Sequence, residues 1–201
     1  RLTNLIETLL DFSRIESGKG LKLRFEPIRL MEVLEDGVMT FSQQLEEERI
    51  TLENRLDPDI PLVLADRNRL VEVFINLLGN GIKFTPPGGK ITVDSRGLTE
   101  RRDYLKIVVA DTGVGISQED LPKIFDRFYQ GGRTQTGLVT GTGLGLAIVK
   151  EIIEAHQGSI HAENRAENGA SFVLTLPIFG IETIYHLVLN PMLEEAERDK
   201  V

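Results

Sequence analysis

The chain has 201 residues, 41% of them apolar, with no cysteine and a formal net charge of −8. This length can form the core of one ordinary domain with appendages, and the lack of cysteine excludes disulfides, thiolate metal sites and a cysteine nucleophile. The acidic balance argues against a nucleic-acid surface, because such surfaces carry clustered Lys and Arg.

No apolar run reaches the roughly 18 to 20 residues that a membrane-spanning helix needs. The N-terminus also lacks the pattern of a signal peptide. We therefore expect this chain to be cytoplasmic and to make no direct membrane contact, whether or not its parent protein is anchored in a membrane.

The predicted elements alternate between strands and helices. Residues 1–20 show helical apolar spacing without an N-terminal cap, so we expect the end of a longer helix that packs on a partner helix. Alternation and turn signals predict strands at 21–30, 50–56, 61–65, 90–96, 104–110, 159–164 and 171–176. Apolar spacing predicts helices at 31–48, from Asp66 to a stop at Pro86, from 117 to about Phe128, and from Leu144 to His156.

The helix that begins at Asp66 has an unusual polar face. Glu72, Asn76, Asn80 and Lys83 recur every three or four residues and therefore lie on one side of it. Asn is a poor helix former, and carboxamide oxygens beside an ammonium group suit a hard cation with phosphates. A solvated polar face explains the same pattern, so this helix alone does not decide between the two.

Two glycine segments add information. Asp111-Thr112-Gly113-Val114-Gly115-Ile116 follows a strand whose apolar run, IVVA, predicts a central position in a sheet. A carboxylate there can accept a hydrogen bond from an exocyclic amine, and glycines let a flat ring approach the backbone; a tight turn that uses Asp111 as a helix cap is the alternative.

The second segment, Gly141-Thr142-Gly143-Leu144-Gly145-Leu146, opens a helix, where exposed N–H groups bind anions. It does not fit a dinucleotide-binding turn, because Leu146 stands where that fingerprint needs glycine. It does not fit a P-loop or the protein-kinase signatures either.

Four segments stand in a specific order: residues 76–85 (NLLGNGIKFT), DTGVGI, residues 124–129 (IFDRFY) and GTGLGLAIVKEI. They closely resemble the N box, first glycine box, F box and second glycine box of the sensor histidine kinase catalytic domain, a member of the GHKL ATPase superfamily. The resemblance covers about 21–177. Residues 1–20 resemble the end of that family's dimerisation and phosphoacceptor helix, and the tail at 178–201 lies outside the likeness.

The resemblance implies a two-layer α/β sandwich of the Bergerat type, with a mixed sheet packed on helices, ATP between helices and a mobile lid. It implies that Asn80 binds Mg²⁺, that Asn76 and Lys83 lie near the phosphates, and that Asp111 accepts from the adenine amino group. Asn76, Lys83 and Arg127 are the candidate catalytic residues. The other implied nucleotide contacts are Phe84, Gly113, Gly115, Ile116, Phe128, Gly141, Thr142, Gly143, Leu144, Gly145, Leu146 and Ser171.

The implied activity is transfer of the γ-phosphoryl group of ATP to a histidine of the dimerisation domain, for relay to an aspartate of a response regulator. The intact kinase would be a homodimer. Hydrolysing members such as gyrase and the heat-shock chaperone ATPases carry a glutamate base where Asn76 stands, which favours transfer to histidine. A hydrolysing ATPase and a non-catalytic binding module remain as alternatives. Glu72 is read as a polar residue of the helix face.

Three features depart from the family pattern or need an explanation. None of His156, His161 and His186 has the sequence context of the phosphoacceptor, so we expect structural roles for all three. Gln130 stands where many members place an arginine, and either Arg127 or Arg133 is the expected substitute. Gly79 and Gly81, inside a helix, suggest close approach by a ligand or lid, or simple tolerance.

Overall fold

The structure, a computed structural model, describes residues 21–99, 103–131, 142–189 and 191. The strands are β1 (Glu26–Ile28), β2 (Thr51–Arg55), β3 (Val63–Ala65), β4 (Lys90–Leu98), β5 (Tyr104–Asp111), β6 (Ser159–Asn164) and β7 (Ala170–Pro177). The helices are α1 (Leu30–Met39), α2 (Ser42–Glu47), α3 (Arg67–Phe84), α4 (Gly145–Ala155) and α5 (Ile181–Ile184), and a π-helical turn, Tyr185–Leu189, follows α5. The predicted helix at 1–20 lies outside the described residues.

Five strands form one mixed sheet in the order β2-β4-β5-β7-β6. The β2 and β4 strands pair in parallel and every other neighbouring pair is antiparallel. Strand β5 is therefore the central strand, as its apolar run predicts, and the mixed sheet of the predicted sandwich is confirmed. Strands β1 and β3 form a separate antiparallel pair.

The core lies between one face of this sheet and helices α1, α3 and α4. Helix α3 contributes its apolar stripe to it, at Leu70, Val73, Phe74, Leu77, Leu78 and Ile82. Its predicted N-cap is confirmed, because the Asp66 side chain accepts a hydrogen bond from Arg69 N at 3.2 Å. The helix ends at Phe84, two residues before Pro86.

Three predicted elements are wrong in extent or type. The strand at 21–30 shrinks to β1, where Pro27 has no N–H to extend a ladder. The single helix at 31–48 is two helices, broken where Phe41 turns its ring onto Gly79. The helix from 117 to Phe128 is a series of turns, largely closed by bonds between residues three apart, and Pro122 supplies no helical donor.

The tail first continues the globular part of the chain. Phe179 N donates to Leu62 O at 2.7 Å and Ile178 N donates to Asp103 O at 2.9 Å. Within the described ranges, no helix is both long enough and apolar enough to cross a bilayer.

Candidate functional site

Helix α3 contacts both glycine segments. At its C-terminal end, a Cβ placed on Gly113 would collide with Phe84 O, so only glycine lets the loop at 111–117 lie against the helix. Two turns earlier, a Cβ on Gly145 would lie 2.6 Å from Asn76 Oδ1, a separation that real Cβ atoms essentially never show. The structure thus brings the N box together with both glycine boxes.

Asp111 ends β5 on the side of the sheet that faces the helices, with 6% of its surface exposed. Its Oδ1 accepts from Gly113 N at 2.7 Å and from Ala170 N at 3.2 Å. In the part of the chain that the structure describes, Oδ2 accepts no hydrogen bond. One oxygen of a buried carboxylate therefore remains for an N–H donor of a ligand.

Burial raises the pKa of Asp111 above its usual value, while the N–H groups of Gly113 and Ala170 and the charge of Arg165 act in the opposite direction. Arg165 Nη1 also donates to the carbonyl oxygen of Asp111 at 2.9 Å. Burial makes the ionised form of this carboxyl group energetically unfavourable. Buried ionisable groups of this kind concentrate at functional sites.

The polar face of α3 forms the opposite part of the site. Asn76, Asn80 and Lys83 are half-buried on it. Asn76 Nδ2 donates to Glu72 O at 2.9 Å, which turns Asn76 Oδ1 towards the start of α4. The Glu72 carboxylate pairs with Arg69 at 3.0 Å, in line with its predicted role as a surface polar residue of the helix.

Lys83 is partly desolvated. Its Nζ lies 4.9 Å from the centroid of the Phe84 ring, and burial lowers the pKa of this ammonium group. A cation with less water around it interacts more strongly with an anion. Lys83 and Phe84 thus form one edge of the site.

Asn80 fits a magnesium ion that also binds phosphate. Its carboxamide forms no hydrogen bond with any residue in the described ranges, although the side chain is half-buried. The same ranges hold no group of three or more His, Cys, Asp or Glu able to bind a metal. A metal here would take one oxygen from Asn80 and others from a ligand and water, which is the usual mode for Mg²⁺.

The described start of the second glycine segment offers backbone groups. Thr142 Oγ1 accepts from Leu144 N at 3.3 Å and forms the turn into α4. Leu144 is buried and Leu146 packs against the core, so both side chains contribute to packing. The first N–H groups of α4 have no acceptor within the helix, and such groups can donate to an anion.

Phe128, in the F box, and Gly143, in the second glycine segment, lie with their backbones in contact. Both residues have left-handed φ angles, 61° for Phe128 and 70° for Gly143, and a Cβ on Gly143 would lie 2.6 Å from the Phe128 carbonyl carbon. For a bulky residue such a φ is an outlier that surrounding structure must hold in place. Gly141, another predicted nucleotide contact, lies outside the described residues.

The F box is tied to the core and to α4. Phe125 packs edge-on against Phe172, with ring centroids 6.4 Å apart, whereas 63% of the Phe128 surface is exposed. Arg127 Nη2 lies 3.1 Å from Glu151 Oε1 on α4, so this candidate lid cation is held beside that helix. Gln130 is exposed. Arg133, the other candidate, lies outside the described residues.

Two glycines of α3 have a packing role. A Cβ on Gly79 would lie 3.3 Å from the Phe41 ring, and one on Gly81 would lie 3.0 Å from Ile91 Cδ1. Both glycines therefore face neighbouring parts of the fold, and this packing gives a reason for glycine at each position. Approach by a ligand or lid stays a prediction.

Ser171 does not meet Asp111. Its register partner is Ala110, which places it on the outer face of the sheet, while Ala170 N reaches the Asp111 carboxylate. The assisting role of Ser171 stays a prediction. By contrast, Gly115 and Ile116 lie in the loop beside Asp111, where Ile116 packs partly buried against the core.

His156 is fully buried and has two partners. Its Nδ1 lies 2.7 Å from Ile152 O and its Nε2 accepts from Asp66 N at 2.9 Å, so the ring is the neutral tautomer with the proton on Nδ1. Burial lowers its pKa. The structural role predicted for His156 agrees with this arrangement.

Sequence reasoning missed Asn164 and Arg165. Asn164 forms two hydrogen bonds with the main chain of Ile116, and Arg165 bonds the main chain of Asp111. Both lie at the exposed end of β6. Polar residues there look like any solvated strand end, so no sequence signal distinguishes them.

Comparison with known proteins agrees with this arrangement. The family described as histidine kinase-, DNA gyrase B-, and HSP90-like ATPase matches residues 65–179. Drug sensory protein A of Synechocystis sp. is 36% identical over 186 residues, and sensor histidine kinase WalK of Bacillus subtilis is 34% identical over 177 residues. These matches cover 89% and 88% of this chain but 28% of each relative, so the chain spans less than a third of their length.

Solved structures share the fold. The nucleotide-free catalytic domain of histidine kinase ThkA has a TM-score of 0.67 and 33% identity, over 77% of this chain and 96% of that chain. Full-length ShkA in complex with AMPPNP has a TM-score of 0.72 and 27% identity, over 89% of this chain and 36% of that chain. ThkA in complex with response regulator protein TrrA has a TM-score of 0.66 and 28% identity, over 89% of this chain and 49% of that chain. Because the family match covers more than half of the chain, and the solved structures that share its fold are histidine kinases, the chain belongs to the histidine kinase-, DNA gyrase B- and HSP90-like ATPase family as a sensor histidine kinase ATP-binding domain.

Proposed function

We propose that this domain binds Mg²⁺ and ATP and transfers the γ-phosphoryl group to a histidine of a dimerisation domain. One observation carries the proposal: α3 meets the loop at 111–117 through Phe84 and meets α4 through Asn76, eight residues earlier. The two contacts are about 12 Å apart along the helix. A pocket with a buried acceptor at one end and a helix N-terminus at the other suits a ligand with a donor-bearing base and a chain of phosphates.

At the base end, the Asp111 carboxylate accepts a hydrogen bond from the exocyclic amine of adenine. Gly113 and Gly115 let the loop lie against Phe84 and Asn164, and the loop held in this way borders the ring. Guanine presents a carbonyl oxygen at the corresponding position of its ring, and a carboxylate repels it. The site therefore prefers ATP to GTP.

At the phosphate end, Asn80 holds Mg²⁺, which neutralises phosphate charge when it is bound. Lys83 adds a positive charge from the same face of α3. The first N–H groups of α4 donate to phosphate oxygens as the lid closes over them, with Gly141, Gly143 and Gly145 at its hinge. Arg127 supplies a cation if lid closure releases it from Glu151.

Transfer to histidine is favoured over hydrolysis by Asn76. A carboxamide cannot take a proton from water at neutral pH, so it cannot serve as the base that hydrolysis needs. A neutral imidazole nitrogen is a nucleophile without such a base. Its attack forms an N–P bond, breaks the bond between the γ-phosphorus and the bridging oxygen, and releases ADP. The phosphohistidine then passes its phosphoryl group to an aspartate of a response regulator.

The domain boundaries follow the same proposal. By this proposal residues 1–20 correspond to the end of a dimerisation helix, 21–177 to the catalytic domain, and 178–201 to a tail that contains α5 and the π-helical turn. The intact kinase is a homodimer whose catalytic domain works in the cytoplasm. The phosphoacceptor histidine belongs to the dimerisation domain.

Calorimetric titration with ADP, with and without Mg²⁺, tests the nucleotide site. We expect saturable binding at a single site that is tighter with Mg²⁺. Asn80→Ala is the matched variant: it should remove most of the Mg²⁺ effect and leave Mg²⁺-free binding nearly unchanged. If the wild-type chain binds no adenine nucleotide under either condition, the proposed function is wrong.

A further inference from the structure

The hairpin between β6 and β7 holds the loop at 111–117, although the hairpin itself belongs to none of the four motifs. Asn164 is the last residue of β6, and its side-chain amide meets the main chain of Ile116, 48 residues earlier. Its Oδ1 accepts from Ile116 N at 2.8 Å and its Nδ2 donates to Ile116 O at 2.6 Å. One exposed side chain therefore satisfies both main-chain groups of a single loop residue.

The amide of Asn164 also fills the space beside Gly115. That glycine has a φ of +73°, and a Cβ on it would lie 2.9 Å from Asn164 Oδ1. The loop can adopt this path only with glycine at 115 and a short side chain at 164. Asn164 thus fixes the position of the loop as well as bonding it.

The next residue holds the other end of the loop. Arg165 Nη1 donates to Asp111 O at 2.9 Å, and Arg165 N donates to Gly169 O at 3.0 Å, which closes the hairpin. The positive charge of Arg165 favours the ionised form of the Asp111 carboxyl. The hairpin therefore bonds the first and last parts of the loop at Asp111 and Ile116.

The remaining support of the loop is weak in its middle. Val114 N donates to Phe84 O at a long 3.4 Å, and 54% of the Val114 surface is exposed. A segment with few buried contacts and long hydrogen bonds opens at low cost. Without Asn164, both main-chain groups of Ile116 would lose the partners they have among the described residues.

We propose that Asn164 and Arg165 are positioning residues that give this site its selectivity for adenine. They contact the loop from outside and hold its backbone at the distance from Asp111 that a planar base with an exocyclic amine requires. A loop released from the hairpin still admits a nucleotide by its phosphates but no longer aligns the base with the carboxylate. This inference rests on the proposed function, since it assumes that the loop binds adenine.

The test compares Asn164→Ala and Arg165→Leu with the wild-type chain, by titration with ADP and with GDP in the presence of Mg²⁺. We expect the Kd for ADP to rise about tenfold in Asn164→Ala, the size of effect expected for loss of hydrogen bonds that order a site. The Kd for GDP, measured by competition with ADP, should not rise. The ratio of the Kd for GDP to the Kd for ADP therefore falls. Arg165→Lys keeps a donor and a charge and should recover most of the affinity that Arg165→Leu loses.

The control is Asn168→Ala in the same hairpin, where the side chain is exposed and bonds no other residue of the described ranges. It should leave both nucleotides unaffected. Thermal unfolding of Asn164→Ala should stay cooperative and within about 6 °C of wild type, because two hydrogen bonds are lost but no core contact is. Unchanged ADP affinity in Asn164→Ala, or an equal loss for ADP and GDP, overturns the inference alone. A wild-type chain that binds neither nucleotide overturns the proposed function and the inference with it.

Discussion

His156 Nε2 accepts a hydrogen bond from Asp66 N at 2.9 Å, and this bond joins the C-terminal end of α4 to the N-terminal end of α3. The N-terminal end of α4 touches the middle of α3 through Gly145 and Asn76. The two contacts are ten residues apart on α3 and eleven apart on α4, or about 15 Å and about 16.5 Å along the helix axes. The N-terminal half of α3 is thus held antiparallel to α4 along the whole length of α4.

This bond predicts a pH dependence of stability. His156 is neutral in the folded state and burial lowers its pKa below the ordinary 6.5. Its contribution to the free energy of unfolding is present in full above pH 6.5, and it is lost as the pH falls from there through the lower folded pKa. His156→Gln places an amide oxygen near Nε2, keeps an acceptor for Asp66 N and should flatten this part of the profile. Urea unfolding between pH 4.5 and 7.5 measures it.

His161→Gln is the control for that experiment, because His161 is exposed on β6. It should leave the slope of stability against pH unchanged between pH 5 and 6.5. A wild-type profile that is flat over this range, or one that His161→Gln flattens instead, would contradict the role given to His156.

Gly145→Ala should disturb the contact between α4 and α3. The added Cβ would lie 2.6 Å from Asn76 Oδ1, so the Asn76 side chain must move and weaken its hydrogen bond to Glu72 O, which costs about 1 kcal/mol. The double variant Asn76→Ala, Gly145→Ala removes the clash, so it should be more stable than Gly145→Ala. Gly180→Ala, where the nearest atom to the new Cβ is Thr183 Oγ1 at 3.9 Å, is the neutral control. Additive effects of the two substitutions would show that the contact is absent.

Asp111→Asn should separate function from stability. The amide oxygen can still accept from Gly113 N and Ala170 N, while the buried charge, which burial disfavours, is gone. We expect the melting temperature to stay the same or rise. Nucleotide affinity should fall about 10- to 100-fold, because an amide N–H replaces the acceptor that faces the adenine amine.

The control for Asp111→Asn is Asp59→Asn, in the exposed turn before β3. It should change neither affinity nor melting temperature. Unchanged ADP affinity in Asp111→Asn would mean that this carboxylate does not contact the base.

The sequence predicts most of α3, α4 and the sheet because their signals are local. The cap at Asp66, the stop at Pro86 and the apolar run of β5 each act within a few residues. The turns before Phe128 were mistaken for a helix because apolar spacing alone does not show that Pro122 removes a donor. The spacing of apolar residues does not predict the structure of this segment, because the backbone hydrogen bonds join residues three apart and form turns in place of a helix.

The candidate site also has a part that the sequence predicts and a part that it does not. The residues on α3 and in the glycine segments are visible from motifs, whereas the contacts that support them are tertiary. Asn164 bonds a residue 48 positions away and His156 bonds one 90 positions away. The sequence leaves open whether Gly79 and Gly81 admit a ligand or lid or are simply tolerated, because it does not show which neighbour a helical glycine faces. Their neighbours are Phe41 and Ile91.

Asn76→Ala should spare nucleotide binding and impair phosphoryl transfer. The side chain contacts the start of α4, where the phosphates are proposed to bind, and Asn76 is a candidate catalytic residue. We expect ADP affinity to change less than about fivefold and the transfer rate to fall at least about 100-fold, the scale of a lost transition-state contact. Glu72→Gln, which alters only the pair with Arg69, should have a small effect on transfer. Equal loss of binding and transfer would argue for a purely structural role of Asn76.

Transfer of the γ-phosphoryl group to histidine can be measured directly. The experiment mixes this chain with labelled ATP, Mg²⁺ and a separately prepared phosphoacceptor domain of a sensor kinase, and follows both the labelled protein and free phosphate. We expect phosphoprotein that is labile in acid and stable in base, that needs the acceptor histidine, and that forms faster than free phosphate. Free phosphate that accumulates at the same rate with or without the acceptor domain, with no labelled protein, would contradict this transfer.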